Sequence, residues 1–444
     1  MKPFLILTLA VSSLWAAGQT AERAPLQLSM KRAVELAISP EGSAPVQLSG
    51  EAFKQAQSRS VQARAALLPD FSAALSDMSR TSNLAAMGLT SLAIPIPGFS
   101  FPHFVGPYST MDARLSATQS VFDFASIRRY QASKTAVSAA QSNTNAVQEQ
   151  VAAQVARAYV AALKANVDVD AAEANVTLSL AVQTQAENQK NAGTGTGIEI
   201  TRAKVQLAND RQRLLVAQNA RRSAHLQLLR AMGLRLETEL ELTDKLEFLP
   251  VDPVTLEQAE ALAIKERPDY RAQQERESNA RLASSATKME RLPSVAAFGD
   301  YGANGTGFDN ALPTRTYGIS VKVPLFDGGR VDARRVEAES QYRAEKVRTN
   351  DLKEQIDLDV RLALDGLRSA ADEVTVAREG LDLAGNELTQ ARRRYEGGVT
   401  NSIEVTDAQT RLERARDNQT AALFNYNLAR IDLAQAMGKV RETL

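Results

Sequence analysis

The sequence of 444 residues contains no cysteine and only two histidines, His103 and His225. The absence of cysteine excludes disulfides, thiolate metal sites, thiol nucleophiles and a lipid-modified N-terminal cysteine. Two histidines leave little material for a His-rich metal site or a catalytic triad, and neither a metal nor a cofactor is expected. The 52 basic and 52 acidic residues balance, whereas nucleic-acid binders usually carry a basic excess. Aromatic residues make up only 5%, and the abundant Ala, Gln, Leu, Glu and Arg are typical of long helices.

Residues 1–18 have the pattern of a signal peptide. Lys2 precedes a short apolar run, and the small residues Ala16, Ala17 and Gly18 are suited to cleavage. We therefore expect export. No later segment has about 18 unbroken apolar residues, so the mature chain is expected to lack a spanning helix and could cross a membrane only as a β-barrel.

The remaining chain is a tandem repeat, predicted to divide into residues 19–253 and 254–444. Five short matches occur in the same order in both halves, with one length change between the second and third match. Ordered matches of this kind indicate duplication of one structural unit. The matched pairs are 29–38 with 255–264, 68–69 with 292–293, 121–123 with 325–327, 198–201 with 403–406 and 231–233 with 436–438.

Each repeat is predicted to contain a helix, two strands and a long helical hairpin. The alternation from Tyr317 to Leu325 places Tyr, Ile, Val and Leu on one face and Gly, Ser, Lys and Pro on the other, as in a half-buried strand. The segment from Leu256 to Arg291 is helical in composition. The predicted strands lie at about 70–90, 108–122, 294–303 and 315–325, and the predicted hairpins at about 125–232 and 328–437.

The helical hairpins are unusually long. The first segment runs for about 65 residues without proline or glycine, which corresponds to a rod of roughly 95 Å. A narrow apolar seam at Val147, Val151, Val155, Ala158 and Ala162 has coiled-coil spacing. Glycine-rich turns at 191–197 and 396–401 reverse the chain, because glycine adopts the left-handed conformations that end helices.

Four strands with one apolar face suit lipid on one side and water on the other, but four strands cannot close a barrel. Closure must then use strands from several chains. A trimer would supply twelve strands, an even number within the range of outer-membrane barrels. A dimer or tetramer remains open at this point.

Three motifs carry a resemblance to a known family. Residues 323–330, 395–405 and 433–438, together with the duplicated layout, resemble the TolC family of outer membrane efflux proteins. The resemblance implies a mixed α/β, mainly helical membrane protein that forms a homotrimeric 12-strand barrel continuous with a periplasmic α-helical barrel. It further implies the outer membrane as location, a periplasmic adaptor and an inner-membrane RND or ABC transporter as partners, a role as exit duct for efflux or type I secretion, and no enzymatic activity.

The resemblance assigns residues around the periplasmic mouth. Glu404 and Asp407, three residues apart on one helical face, match acidic rings that narrow the pore. Glu404 alternatively serves only as an acid that stabilises the start of a helix. Tyr395 and Glu199 match residues of tip-to-tip bonds, and the family's arginine in that network falls on Thr400. Tyr395 alternatively only packs beneath its turn.

The resemblance also assigns two turns to adaptor docking. Gly193 and Gly398 match the turn glycines at which the family's adaptors dock, and ordinary helix capping is the alternative explanation. The residues Pro324, Phe326 and Asp327, with Phe122 and Asp123 in the first repeat, are assigned to the junction of barrel and helices, where aromatic residues favour the membrane interface. The loop from Ile94 to His103 is expected outside the cell.

A coiled-coil protein and a hydrolase are the alternatives to a channel. A structural periplasmic or surface coiled-coil protein without a pore would explain the rods and turns, but it leaves the duplicated strands unexplained. A hydrolase would need a nucleophile and base or metal ligands at related positions, and the sequence offers none. The transported substrate is not predicted.

Overall fold

The computed structural model describes residues 25–89, 96–193, 195–397, 399–400 and 402–443. The predicted signal peptide and the start of the 94–103 loop lie outside these residues. The helices are α1 (Met30–Ile38), α2 (Ala44–Ala65), α3 (Phe124–Asn191), α4 (Gly197–Met232), α5 (Leu256–Glu266), α6 (Pro268–Met289), α7 (Arg330–Glu396), α8 (Ser402–Ala436) and α9 (Val440–Thr443). The strands are β1 (Leu26–Leu28), β2 (Asp70–Asn83), β3 (Phe104–Phe122), β4 (Leu240–Leu242), β5 (Ser294–Gly305) and β6 (Leu312–Lys322).

Several boundaries differ from the sequence prediction. Strand β2 ends at Asn83 rather than near residue 90, and β6 ends at Lys322 rather than Leu325. Pro324 has no N–H group and therefore cannot donate to a strand ladder. The segment predicted as one helix from Leu256 to Arg291 is divided between α5 and α6 at Arg267, which has an extended conformation before Pro268.

The chain forms two compact units. One contains the residues up to Ala37 together with Val155–Glu247 and Glu379–Phe424. The other contains Ile38–Gln154, Phe248–Arg378 and the residues from Asn425. Both units draw on both repeats, so the duplicated sequences fold together. No helix among the described residues is both long enough and apolar enough to span a lipid bilayer.

The second unit contains an antiparallel sheet with the strand order β2-β3-β5-β6. Its register places exposed Leu115 beside Tyr301, and the same face carries Leu75, Tyr317 and Ile319. The opposite face is polar. There Arg114 forms ion pairs with Asp112 and Asp300 and reaches Thr314 on β6 at 3.1 Å.

The helices of the second unit pack through small and aliphatic side chains. Ile356 and Val360 of α7 contact Ala259 and Ala263 of α5 in one buried cluster with the end of α8. The C-terminal helix α9 is held by Glu149 of α3, whose Oε2 accepts a hydrogen bond from Val440 N at 2.9 Å.

The first unit is organised around a buried tyrosine. Tyr159 of α3 is fully buried, and its hydroxyl donates to the carbonyl oxygen of Leu28 at 2.8 Å. Burial, with the nearby charge of Asp244, raises the pKa of this hydroxyl. Strand β1 pairs in parallel with β4, and Asp244 Oδ2 accepts from Met30 N at 2.7 Å. The short sheet is thereby joined to the long helix.

The close packing of the sheet requires glycine at position 302, and this requirement can be tested. A Cβ at Gly302 would lie 2.4 Å from the carbonyl oxygen of Ala113, whereas a Cβ at Gly299 would meet nothing closer than 3.7 Å. We expect Gly302→Ala to lower the free energy of unfolding by about 1–3 kcal/mol through overpacking. Thermal unfolding in detergent measures this, with Gly299→Ala as the matched control. Equal melting temperatures for the two variants would contradict the prediction.

Candidate functional site at the helical turns

The candidate site lies in the first unit, where the long helices end in two turns. At the first turn Gly193 has φ +78°, a left-handed conformation that glycine adopts without strain. A side chain at Gly193 would meet nothing within 4 Å, so this position is open to its surroundings. Gly398 of the second turn lies outside the described residues.

A third glycine of the turns, Gly195, has a role that the sequence did not predict. A Cβ at Gly195 would lie 2.9 Å from Lys190 N and 3.0 Å from Gln189 Cβ. Gly195 N also donates to the carbonyl oxygen of Gln189 at 3.0 Å. The first turn therefore needs Gly193 for its left-handed backbone conformation, and it needs Gly195 because Gln189 and Lys190 approach that position closely. The only signal for this in the sequence was the alternation of glycine and threonine over residues 193–197.

Glu199 caps the helix that leaves this first turn. Its Oε2 accepts a hydrogen bond from Thr196 N at 3.0 Å, the reciprocal bond of a capping box. This contact satisfies one of the backbone N–H groups at the start of α4 that have no partner within the helix.

Tyr395 links the two hairpins within one chain. The side chain is only 5% exposed, and its hydroxyl donates to Gln189 Oε1 at 2.7 Å. Burial and the negative charge of Glu199 raise the pKa of this hydroxyl. The ring packs with Ala391 and Val405 in an apolar cluster of α7 and α8 beneath the turn.

Glu404 at the start of α8 is held by two neighbours. Thr400 Oγ1 donates to its carboxylate, and Arg394 Nη1 lies 3.1 Å from its Oε1. The sequence does not predict which face of the helix Arg394 occupies relative to Glu404, because the last residues of a helix before a turn have no fixed face. The structure therefore joins Arg394, Thr400 and Glu404 into one cluster that closes the α7–α8 turn.

Asp407 differs from Glu404. It is exposed and forms no hydrogen bond or ion pair with another described residue. The side chain of Glu404, by contrast, is 37% exposed and carries an arginine beside it. The two acids are three residues apart on α8 and so share one helical face. Of the two, only Asp407 has no cation beside its carboxylate.

Aliphatic side chains surround the turns. Val399 is 72% exposed and Ile198 is 59% exposed, and Ile403 is also exposed. One such residue on a surface is ordinary. Here three aliphatic residues lie in a turn or within two positions of one, and at the first turn Gly193 and Gly197 leave the backbone open.

Further along the same helices, buried carboxylates join α4 to α8. Asp210 is 1% exposed and accepts hydrogen bonds from Ser179 and from Gln206. Arg213 forms an ion pair with Glu413. Burial raises the pKa of Glu413, and the negative charge of Asp210 adds to this effect. No local sequence pattern predicts the pair of Arg213 with Glu413, since these residues lie 200 positions apart.

The junction residues belong to the second unit. Asp123 Oδ1 accepts from Ala125 N at 3.0 Å, and Asp327 Oδ2 accepts from Val331 N at 2.9 Å. Both aspartates therefore begin long helices. Phe326 is 92% exposed, and Phe122 is exposed as well. Pro324 lies in the exposed segment between β6 and α7.

Neither histidine lies in a cluster of metal-ligating side chains within the described residues. His225 Nε2 lies 3.1 Å from Asn166 Oδ1, and burial lowers the pKa of this imidazole. No group of three or more His, Cys, Asp or Glu within the described part of the chain has the arrangement of a metal site.

Comparison with known proteins agrees with this architecture. The family model for outer membrane efflux proteins matches residues 51–234 and 261–439. Outer membrane protein TolC of Vibrio cholerae is 26% identical over 171 residues, a match that spans 37% of this chain and only 38% of that relative. The match to TolC of Escherichia coli is 21% identical over 142 residues and spans 32% of this chain and 29% of that protein.

Solved structures share the fold over nearly the whole chain. The CmeC outer membrane channel of Campylobacter jejuni superposes with a TM-score of 0.80 at 16% identity, covering 92% of this chain and 85% of that one. The MtrE outer membrane channel of Neisseria gonorrhoeae superposes with a TM-score of 0.78 at 17% identity, covering 94% and 90%.

The fold is thus that of outer-membrane channels, mainly helical and built from a tandem duplication. The chain belongs to the outer membrane efflux protein family. The family and fold class predicted from the sequence are confirmed, as is the outer membrane as location with a periplasmic portion.

The contact between Tyr395 and Gln189 can be tested directly. Tyr395→Phe removes one hydrogen bond of about 0.5–1.5 kcal/mol, so local opening of the turn is expected about two- to tenfold more often. Hydrogen exchange of the amides around residues 185–200 and 390–405 measures this opening. Tyr342→Phe is the control, because the Tyr342 hydroxyl has no partner among the described residues. Unchanged exchange in Tyr395→Phe would contradict the assigned contact.

Proposed function

We propose that this protein is the exit duct of a tripartite efflux or type I secretion system, formed by three copies of the chain. One observation carries the proposal. The four-stranded sheet has one face with exposed Leu75, Leu115, Tyr301 and Ile319 and an opposite face with charged and hydroxyl side chains. A sheet with one apolar and one polar face fits a wall between lipid and water.

The edges of this sheet call for pairing with other copies of the chain, and the family resemblance supports three copies. Strands β2 and β6 each have a strand partner on one side only, within the described residues. Unpaired backbone groups are costly in lipid, because no water is available to bond them. Pairing β6 of one copy with β2 of the next satisfies both edges. Three copies then give a 12-strand barrel, as the family resemblance implies.

The turns form the periplasmic mouth in this proposal. Asp407 supplies an unpaired carboxylate from each copy, and Glu404 supplies one held by Arg394. Rings of carboxylates at a constriction favour cations. Within each chain, Tyr395 with Gln189 and Arg394 with Glu404 hold the hairpin ends, while Glu199 caps α4. Thr400 bonds Glu404, so an intersubunit lock would use other donors than a Thr400 hydroxyl.

The turns also form the adaptor-docking surface. Gly193 is open to its surroundings, and Gly398 occupies the matching position in the second repeat. Exposed Val399 and Ile198 beside them offer apolar contact to the tip of a periplasmic adaptor. An inner-membrane RND or ABC transporter would load the duct through this adaptor.

The duct itself performs no chemical reaction. A coiled-coil protein without a pore, the alternative function, would leave the apolar face of the sheet without a role.

Glu404 and Asp407 have different surroundings, and this difference allows a test of their role in cation selectivity at the periplasmic mouth. Asp407→Asn is expected to lower cation selectivity more than Glu404→Gln, because Arg394 already offsets the charge of Glu404. The reversal potential of the reconstituted trimer in a planar bilayer under a salt gradient measures the selectivity. If neither variant shifts the reversal potential, the acidic residues do not line the narrowest part of the pore.

The docking role of Gly193 is tested without disturbing the turn. Asparagine tolerates the left-handed conformation better than other side chains, and the space around Gly193 is open. Gly193→Asn should therefore keep trimer formation and bilayer conductance but abolish adaptor-dependent efflux in cells. Gly366→Asn, at an open position of α7, is the control. Normal efflux by the Gly193 variant would refute the docking role.

A further inference from the structure

The periplasmic end of the sheet carries a local excess of positive charge, although the chain as a whole is neutral. Segments 61–70, 122–134, 288–294 and 322–337 surround this end and contain ten Lys or Arg against six Asp or Glu. At the other end of the sheet, segments 77–83, 104–112 and 303–315 contain two basic and three acidic residues. The positive charge is therefore confined to one end.

Most of the acidic residues at this end are occupied by local contacts. Asp123 and Asp327 accept backbone N–H bonds at the starts of α3 and α7. Glu290 pairs with Arg129 and Arg334, and Asp332 pairs with Arg291. The acids that remain without a described partner are Asp70 and Glu337.

Six basic residues at this end have no carboxylate partner among the described residues. Arg128 contacts only the neutral Gln131, at 2.8 Å, and Lys134 lies over the ring of Tyr130. Arg330 is also the first residue of α7, where the helix dipole disfavours a cation. Helix stability therefore does not account for Arg330. The six residues are Arg64, Arg128, Lys134, Lys322, Arg330 and Arg335.

Apolar side chains lie at the same level. Phe122, Phe124, Leu325 and Phe326 are all exposed, and they extend the apolar face of the sheet past its last residues. The headgroup layer of a bilayer is roughly 5–8 Å thick on each side, about the length of one helical turn and a side chain. Arg64, Arg128, Lys322, Arg330 and Arg335 lie in β6 or within about two turns of the helix end next to the sheet, so their long side chains reach headgroup depth when the apolar face lies in hydrocarbon. Lys134 is the eleventh residue of α3, about 15 Å along that helix, and lies beyond this layer.

We propose that a basic collar, consisting of Arg64, Arg128, Lys322, Arg330 and Arg335, binds the phosphate groups of anionic phospholipids in the periplasmic leaflet of the outer membrane. The inference rests on the proposed function, because it takes the sheet as the part of the chain within lipid. Charge complementarity and continuity with the lipid-facing surface both favour an anionic headgroup as the occupant. Guanidinium groups match phosphate oxygens in pairs, which suits four of the five positions.

The test compares lipid binding by matched variants. Detergent-purified full-length protein is titrated with phosphatidylglycerol or phosphatidylcholine, and bound lipid is counted by native mass spectrometry. A cation near an anionic surface strengthens binding about fivefold, so the wild type should bind phosphatidylglycerol at least about fivefold more tightly than phosphatidylcholine. Arg128→Gln/Arg330→Gln/Arg335→Gln should bind both lipids alike, and high salt should weaken the preference of the wild type.

Two further variants keep the result interpretable. Arg343→Gln/Lys346→Gln/Arg378→Gln removes three exposed charges from α7 outside the collar and should keep the preference. Arg128→Lys/Arg330→Lys/Arg335→Lys keeps the charges and should keep the preference as well. The inference is overturned if the wild type has no preference, if the collar glutamine variant keeps it, or if the α7 control loses it equally. Bilayer conductance of the same wild-type sample separates the two proposals, because a conducting trimer without lipid preference refutes only the collar.

Discussion

A backbone N–H or C=O group has no alternative hydrogen-bond partner in hydrocarbon, and the architecture proposed for this protein depends on that constraint. Each chain contributes a sheet of four strands whose outer strands β2 and β6 each have one strand partner within the described residues. A single sheet of this kind would expose two rows of polar groups to lipid. In the proposed architecture, assembly of several copies is therefore a condition for membrane insertion, and the apolar face of the sheet contacts lipid only in the assembled state.

The long helices meet a different demand, which is close packing without large side chains. Alanine and valine supply much of the buried surface of α3, and one larger residue, Tyr159, joins it to β1 through a hydrogen bond. Small side chains let helices approach closely, while charged residues such as Arg213 and Glu413 connect α4 to α8. Apolar packing thus sets how near the helices lie, and specific polar contacts determine which residues face each other.

The two repeats have diverged at their turns. The first turn depends on glycine, since Gly193 takes a left-handed conformation and Gly195 leaves room for Gln189. At the second turn, Arg394, Thr400 and Glu404 form a charged cluster. The polar contacts described at the two turns therefore differ in chemistry.

The sequence alone determined the duplication, the long helices, the positions of both turns and the alternating faces of β6, because each of these follows from local spacing along the chain. It also contained Pro268, a visible sign of the break between α5 and α6 that the helical composition concealed. Only the tertiary structure decided the strand order, the partnership of Tyr395 with Gln189, the direction of Arg394 and the pairing of Arg213 with Glu413. These contacts join residues from separate elements, and most of them join the two repeats. They depend on how helices rotate and pack against one another, which the periodicity of one segment does not specify.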